Sequence, residues 1–359
     1  LFRDTLEATE AVDSTSAGAF RRVSKGGLVS LIGDIPDSVG VVVIGRNEGV
    51  RLQRCLDTLP NTIKDIVYVD SGSQDGSVET TRARGIEVVE LDLGVPFTAA
   101  RARNEGVNRL LALNASLRYV FFVDGDCEIV DGWIEKSFRF MEQRDDVAAV
   151  CGWRREKYPD SSIYNSLIDL EWQVPAGRTM SCGGDSMMRI AAFRQATGFR
   201  DDIISGEEPE LCHRLRKLGW TIWCLGEPMT LHDAAILRIG QWFRRAVRTG
   251  YGYAHGAALH GAPPEKMWIA ECRRIRMWGF LFPLTILLLS VALSAWIMLL
   301  FLVYPLRVIR IYLRGKYSRR HNWWNAVSLV VCQFPQFWGQ LKYATDRLSH
   351  SSGRIIEYK

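Results

Sequence analysis

The chain has 359 residues, 47% of them apolar and 24% charged, and a net charge of +5. That balance calls for a packed core in one large or two smaller domains and excludes a disordered chain. The positive excess gathers near the C-terminus around an apolar segment, at Arg273, Arg274, Arg276, Arg307, Arg310, Arg314, Arg319 and Arg320. This favours an anionic membrane surface and argues against nucleic acid as a partner.

Residues 1–38 are polar and lack a strong period, which predicts a flexible leader without a secretory signal pattern. From Val39 the pattern alternates. A strand over 39–44 ends at Gly45-Arg46-Asn47-Glu48, and apolar positions 52, 55, 56 and 59 predict a helix over 49–59. Further strands are predicted at 65–69, 86–91 and 118–123, with helices at 76–84 and 97–112. Short, continuously apolar strands between helices are the mark of a parallel sheet covered on both faces, an α/β fold. After residue 127 the pattern predicts a helix at 131–142 and strands at 147–153 and 221–225. A polar loop contains Pro159 and Pro175, and helices follow at 190–197, 208–218 and 237–259. The eight cysteines form no Cys-x-x-Cys pair, which argues against a zinc ribbon or thioredoxin-like site and fits a reducing compartment.

The strand at 118–123 stops at Asp124-Gly125-Asp126. A buried strand that ends in two carboxylates delivers them to the rim of the sheet, where α/β proteins bind ligands. Two carboxylates there suit a hard divalent cation, Mg²⁺ or Mn²⁺, which in turn suits a diphosphate. The strand at 65–69 likewise ends at Asp70, which is suited to a base N–H or a ribose hydroxyl.

The segments VGVVVIGRNEG, VYVDSGSQDGS, ARARNEGV, VFFVDGDCEI, SCGGDSMMRIAAFRQATGF and ISGEEPELCHRLRKLGW stand in this order. In that order they resemble family 2 glycosyltransferases of the GT-A fold, over about residues 39–260. The resemblance implies a Rossmann-like, mostly parallel sheet and a nucleotide-diphospho-sugar donor. It implies that Asp70 contacts the base or ribose, that Asp124 faces the ribose and that Asp126 is the main metal carboxylate. Arg103 and Asn104 would lie beside the donor, Asp185 would meet it on the acceptor side, and His232 would be a further metal or diphosphate ligand. Asp124 is also a candidate ligand of the metal. The inverting members use the second acid of a helix-opening pair as general base, here Glu208 in Glu207-Glu208; glutamate stands where the family has aspartate, so Glu207 remains a candidate. Gln241-Trp242-Phe243-Arg244-Arg245, with Arg248, resembles the basic segment that closes over the diphosphate. Arg245 stands where processive polymerases carry tryptophan, which implies transfer of a single sugar; the apolar C-terminal segment argues for a carbohydrate or lipid-linked acceptor at the bilayer, in surface polysaccharide assembly. The alternative from another class is a catalytically silent, transferase-like subunit that binds a partner or nucleotide-sugar.

Residues 278–304 form an uncharged block long enough to cross a bilayer. The aromatic-rich 323–343 reads as a second span or an interfacial helix. Because both flanks of the block are basic, a single span conflicts with the positive-inside tendency, and a hairpin broken near Ser290–Ser294 or a block lying in the interface removes the conflict. The expected organisation is a catalytic domain at 39–260 and a membrane-associated region at 261–359, at the cytoplasmic membrane with catalysis facing the cytoplasm. Every donor motif precedes residue 250, so the region from 278 onward is expected to serve as an anchor only.

Overall fold

A computed structural model describes residues 37–349. The leader predicted for 1–38 therefore lies almost wholly outside the described residues. The first half alternates as the pattern requires: β1 (Val39–Gly45), α1 (Val50–Asp57), β2 (Ile66–Asp70), α2 (Ser77–Ala83), β3 (Glu87–Glu90), α3 (Ala99–Leu113) and β4 (Tyr119–Asp124). β1 pairs in parallel with β2 and β4, and β2 with β3. The register sets Gly45 beside Asp70 and Ile44 beside Asp124, so three strands end at one rim. Val41, Val42, Val43, Phe121 and Phe122 are fully buried, because helices cover both faces of these strands.

The second half runs β5 (Cys127–Ile129), α4 (Trp133–Glu142), β6 (Val147–Glu156), α5 (Ile163–Glu171), β7 (Gly177–Thr179), β8 (Ser186–Arg189), α6 (Ile190–Gln195), α7 (Glu207–Lys217), β9 (Thr221–His232) and α8 (Ile239–His260). Among the described residues nine strands make one sheet, ordered β3-β2-β1-β4-β8-β6-β9-β5, with β7 also on β9. The sheet is mixed: β5, β7 and β8 run antiparallel to their neighbours. These three strands are only three or four residues long, too short to show a period, and the pattern did not reveal them. Helix α5 likewise lies inside the stretch read as a polar loop, opened by Ser162, whose hydroxyl accepts from the Asn165 N–H at 3.0 Å. β9 is longer than the predicted 221–225 and makes His232 its last residue.

The C-terminal region is helical: α9 (Ile269–Arg276), α10 (Phe282–Ala292), α11 (Val303–Leu313), α12 (Arg319–Val331) and α13 (Gln333–Leu348). The apolar block is not one helix. A π turn at Met277–Leu281 joins α9 to α10, the helix stops at Leu293–Ser294, and a 3₁₀ segment, Ala295–Leu302, leads into α11. Two helices, Ile269–Ala292 and Ala295–Leu313, are long and apolar enough to cross a membrane. The segment 323–343 is not a single helix either. Its second part, in α13, turns Gln333, Gln336, Gly339 and Gln340 into the protein, against α8. There the backbones touch: a Cβ on Gly339 would stand 2.0 Å from the Val247 carbonyl oxygen, and one on Gly250 2.0 Å from that of Gln336.

Candidate active site

The rim of the sheet opens into a cleft of about 1300 Å³. On one wall, α7 begins after Gly206, whose φ of 87° lies in the left-handed region that a side chain disfavours. This turn sets Glu207 and Glu208 in the first helical turn, where the helix dipole favours negative charge. Facing them, α3 presents Arg103, which is 2% exposed. Its Nη1 lies 3.2 Å from Glu207 Oε1 and 3.2 Å from Glu208 Oε1, and its Nη2 lies 2.9 Å from Asp124 Oδ1. Gly184 lets the guanidinium through, since a Cβ there would meet Nη2 at 2.3 Å. Burial and the neighbouring charge of Glu207 raise the Glu208 carboxyl to about 7, against the pull of Arg103. A carboxylate at the cleft wall that titrates near neutrality is suited to accept a proton.

The second guanidinium is Arg154, from β6. It bonds Asp124 Oδ2 at 3.0 Å, Asp185 Oδ1 at 2.6 Å and Asp185 Oδ2 at 2.9 Å. Burial alone would raise the Asp124 carboxyl, but Arg154 and Arg103 override it and hold the group below the ordinary carboxylate range. Asp185 is fully buried and also accepts the Asp124 N–H at 3.0 Å and the Thr230 hydroxyl at 2.6 Å. It therefore orients Asp124 and Arg154 at the cleft.

Asp126 and His232 are brought together by the pairing of β5 with β9, which sets Cys127 opposite His232. His232 Nε2 stands 3.3 Å from Asp126 Oδ2. On its other side β6 sets Glu156 in register with His232, with Glu156 Oε2 3.7 Å from Nδ1, and the Trp172 ring packs edge-on at 4.9 Å. Nδ1 is buried without a hydrogen-bond partner. Glu156 itself is fixed by the N–H groups of Tyr158 and Ala234, both at 3.1 Å. A carboxylate beside an imidazole, with a carboxylate behind, fits a borderline-hard divalent cation. Cys127 belongs to the same cluster. Burial holds its thiol well above the usual range, so it stays protonated and donates to Asp126 Oδ1 at 3.6 Å. Mg²⁺ and Mn²⁺ prefer oxygen and nitrogen donors to sulfur, so Asp126 and His232 are the better ligands of the three.

Other predicted residues are not brought to the cleft wall. Asp70 is buried and accepts from the N–H groups of Gly72 and Ser73 and from the hydroxyls of Tyr68 and Ser73, so it holds the turn that presents Ser71. Asn104, one position round the helix from Arg103, bonds the Phe199 backbone and Asp201 on the far side. On α8 the cleft-facing residues are Trp242, Arg245, Arg248 and Thr249, at helical spacing, while Arg244 points to solvent. Arg245 pairs with Glu171 at 3.1 Å.

Three contributors were not among the predicted site residues. Arg154 and Glu156 fall just beyond the predicted end of the strand at 153; Arg274 carries no motif of its own. The expectation of a mere anchor is also corrected. Asn325, Ser328 and Leu329 of α12, and Tyr317 before it, line the cleft, because α13 clamps this region onto α8.

Residues 40–200 match the family model described as Glycosyl transferase family 2. The Glycosyltransferase AglE of Haloferax volcanii is 23% identical over 227 residues, which span 60% of this chain and 72% of that protein. The Succinoglycan biosynthesis protein ExoA of Rhizobium meliloti is 24% identical over 200 residues, 51% of this chain and 59% of that protein. Among solved structures, the mannosyltransferase PcManGT from Pyrobaculum calidifontis, in complex with GDP-Man and Mn²⁺, has the same fold. It superposes with a TM-score of 0.57 at 17% identity, over 85% of this chain and 87% of that one.

Proposed function

We propose that the chain, whose residues 40–200 match the family 2 glycosyltransferase model, moves one sugar, with inversion, from a nucleotide-diphospho-sugar to a carbohydrate or lipid-linked acceptor at a membrane. The observation that carries the reading is the Glu208 carboxyl, raised to about 7 at the wall of the cleft and facing the Asp124–Asp126 rim. Glu208 accepts the proton of the acceptor hydroxyl as its oxygen bonds the anomeric carbon; the bond from that carbon to the diphosphate oxygen breaks, and the nucleoside diphosphate leaves. Glu207, more deeply buried, lies 3.2 Å from Arg103 and is one of the neighbours that push the Glu208 carboxyl up.

Asp126 and His232 would hold a divalent cation, Mg²⁺ or Mn²⁺, with Asp124 at its side and the Glu156 carboxylate 3.7 Å behind the imidazole. When bound, that ion neutralises charge on the leaving diphosphate. Arg245 and Arg248, on the cleft face of α8, suit the same phosphates. The base end of the donor fits near Ser71 and Phe97, where the Arg46 guanidinium lies 4.5 Å above the ring. Asp70 supports this end through its turn. The named relatives act in glycosylation or in succinoglycan synthesis, which supports a role in surface polysaccharide assembly, and the apolar C-terminal hairpin supports the cytoplasmic membrane as its place, with the cleft facing the nucleotide-sugar in the cytoplasm.

The test is a nucleotide-sugar screen by thermal shift in detergent, with and without Mn²⁺, followed by a nucleoside-diphosphate release assay. Stabilisation by one donor only with metal, and release on adding acceptor, are expected. Metal-dependent binding without any release would favour the silent-subunit reading instead.

A further inference from the structure

Between Arg276 and Arg307 the chain has no charged residue over 277–306. As one straight helix this stretch would reach ~45 Å and cross a bilayer whose hydrocarbon is ~30 Å thick. It does not run straight. Helix α10 ends at Ala292, and Ser294 is extended, with φ −165° and ψ 136°; its hydroxyl accepts from the Trp296 N–H and starts the return limb. The outgoing limb, 277–292, is about 24 Å long; the tighter return limb, 295–306, is about 22 Å.

The two limbs meet again at their base. The Tyr304 hydroxyl donates to the Trp278 carbonyl oxygen at 2.5 Å, and the Arg307 guanidinium lies 3.8 Å over the Trp278 ring. Phe280 stacks on Phe337 of α13 at 4.5 Å, which ties the base to the helix clamped on α8. At the far end Val291, Leu293 and Trp296 are 89%, 73% and 79% exposed. The exposed apolar tip and the closed base make a hairpin with both ends on one side.

Its charge is also one-sided. Residues 272–345 contain ten Lys and Arg and no Asp or Glu. Arg273, Arg276, Arg310, Arg314, Arg319 and Arg320 are exposed around the base. One leaflet offers ~15 Å of hydrocarbon under ~6 Å of headgroups, a total close to the limb length and far short of the whole bilayer.

We infer that 277–306 is a re-entrant hairpin that enters one leaflet of an anionic lipid bilayer and returns, leaving both arginine-bearing flanks at the headgroups on the catalytic side. The inference rests on the membrane association proposed above and gives it a geometry. Arg274 lines the cleft only three residues before the uncharged stretch begins. The cleft therefore opens at headgroup level, where an acceptor held on a lipid is presented.

Purified full-length protein, added to preformed, protein-free vesicles of phosphatidylglycerol and phosphatidylcholine, tests this with a membrane-impermeant maleimide. The described native cysteines are all buried, so the background is low. Cysteine reporters Arg273→Cys and Lys316→Cys should both label from outside, and Ser294→Cys only after detergent and not when the vesicles are merely opened by freeze–thaw. Labelling of Ser294→Cys on opening would mean two full spans and overturn the one-leaflet hairpin. Replacing Arg310, Arg314, Arg319 and Arg320 by Gln should weaken vesicle binding at least tenfold on anionic vesicles and little on neutral ones. Labelling of Lys316→Cys only after the vesicles are opened would mean a full crossing and overturn the hairpin. Labelling of Ser294→Cys in intact vesicles, or no binding to protein-free vesicles, would mean that the apolar limbs dock on protein and would overturn the lipid assignment. Donor binding in detergent, measured on the same samples, reports separately on the transferase reading.

Discussion

Arg103 Nη1 lies 3.2 Å from Glu208 Oε1, yet the carboxyl of Glu208 titrates at about 7. The guanidinium is shared with Glu207 and Asp124, so its pull on Glu208 is less than the combined push of burial and Glu207. A base must be deprotonated to act. The transfer rate should thus fall about tenfold per pH unit below about 7 and level off above it. Glu208→Gln should lose ~10²-fold or more in transfer while donor affinity by calorimetry stays within about threefold. If Glu208→Gln turns over normally and Glu207→Gln does not, the base is Glu207.

The same shift sets a stability trend. The folded protein keeps a proton on Glu208 between the ordinary glutamate value of 4.5 and about 7, where the unfolded chain has lost it. The folded state binds more protons in that window, so this group's contribution is fully present below 4.5 and is lost as pH rises through 7. Glu208→Gln removes the loss. Its melting temperature should exceed that of the parent at pH 8, by no more than ~3 kcal/mol in stability, and match it near pH 4.5. Equal melting at both values would show that Glu208 has an ordinary carboxyl.

Arg103 holds three acids together from a fully buried position. Arg103→Met fills similar space but leaves Glu207, Glu208 and Asp124 without their shared cation. Breaking a buried ion pair costs ~3–5 kcal/mol. A loss of that order in urea unfolding, larger at pH 8 than at pH 5 because protonation relieves the acids, is the expected result. A change below 1 kcal/mol would mean that the acids find other partners.

The parts legible in the sequence were those with a strong local pattern. Runs such as Tyr119–Val123 combine β-branched and aromatic residues with a polar stop, and they gave the strand, its rim and the two aspartates. Glu207-Glu208 carried the helix-start signature and falls at the first turn of α7. What was not legible depends on pairing across the chain. Arg154 reaches Asp124 only because β8 slots between β4 and β6, and nothing near residue 154 signals that insertion. Asp70 and Asn104 match motifs, but their hydrogen bonds go to the turn at 72–73 and the loop at 199–201, and no local pattern reveals where a side chain points. Likewise the need for glycine at 250 and 339 shows only once α8 and α13 are seen in contact.

The Asp126–His232 pair should act as a unit toward metal. Asp126→Ala should abolish Mn²⁺-dependent donor binding, since the main charged ligand is lost, and His232→Ala should weaken it. Glu156→Gln touches the far nitrogen of the imidazole and should reduce metal affinity ~10–100-fold without changing metal-free stability greatly. Titration of Mn²⁺ at fixed donor, followed by fluorescence or calorimetry, separates these effects. Unchanged Mn²⁺ dependence in Asp126→Ala would remove this cluster from metal binding.

The contact between α8 and α13 makes the C-terminal region part of the site. A methyl at Gly339 would stand 2.0 Å from the Val247 carbonyl oxygen, on the helix that also carries Arg245 and Arg248. The helices must then separate, and overpacking of this kind costs ~1–3 kcal/mol. Gly339→Ala should lower the melting temperature in detergent and weaken donor binding, because α12, joined to α13 at Cys332, moves Ser328 and Leu329 at the cleft. A chain ending at residue 277 lacks α13 altogether, so it should expose the buried face of α8 and bind donor more weakly still. Donor affinity equal to that of the full chain in this truncation would show that the cleft is complete without α12 and α13, and that their docking serves only to fix the hairpin.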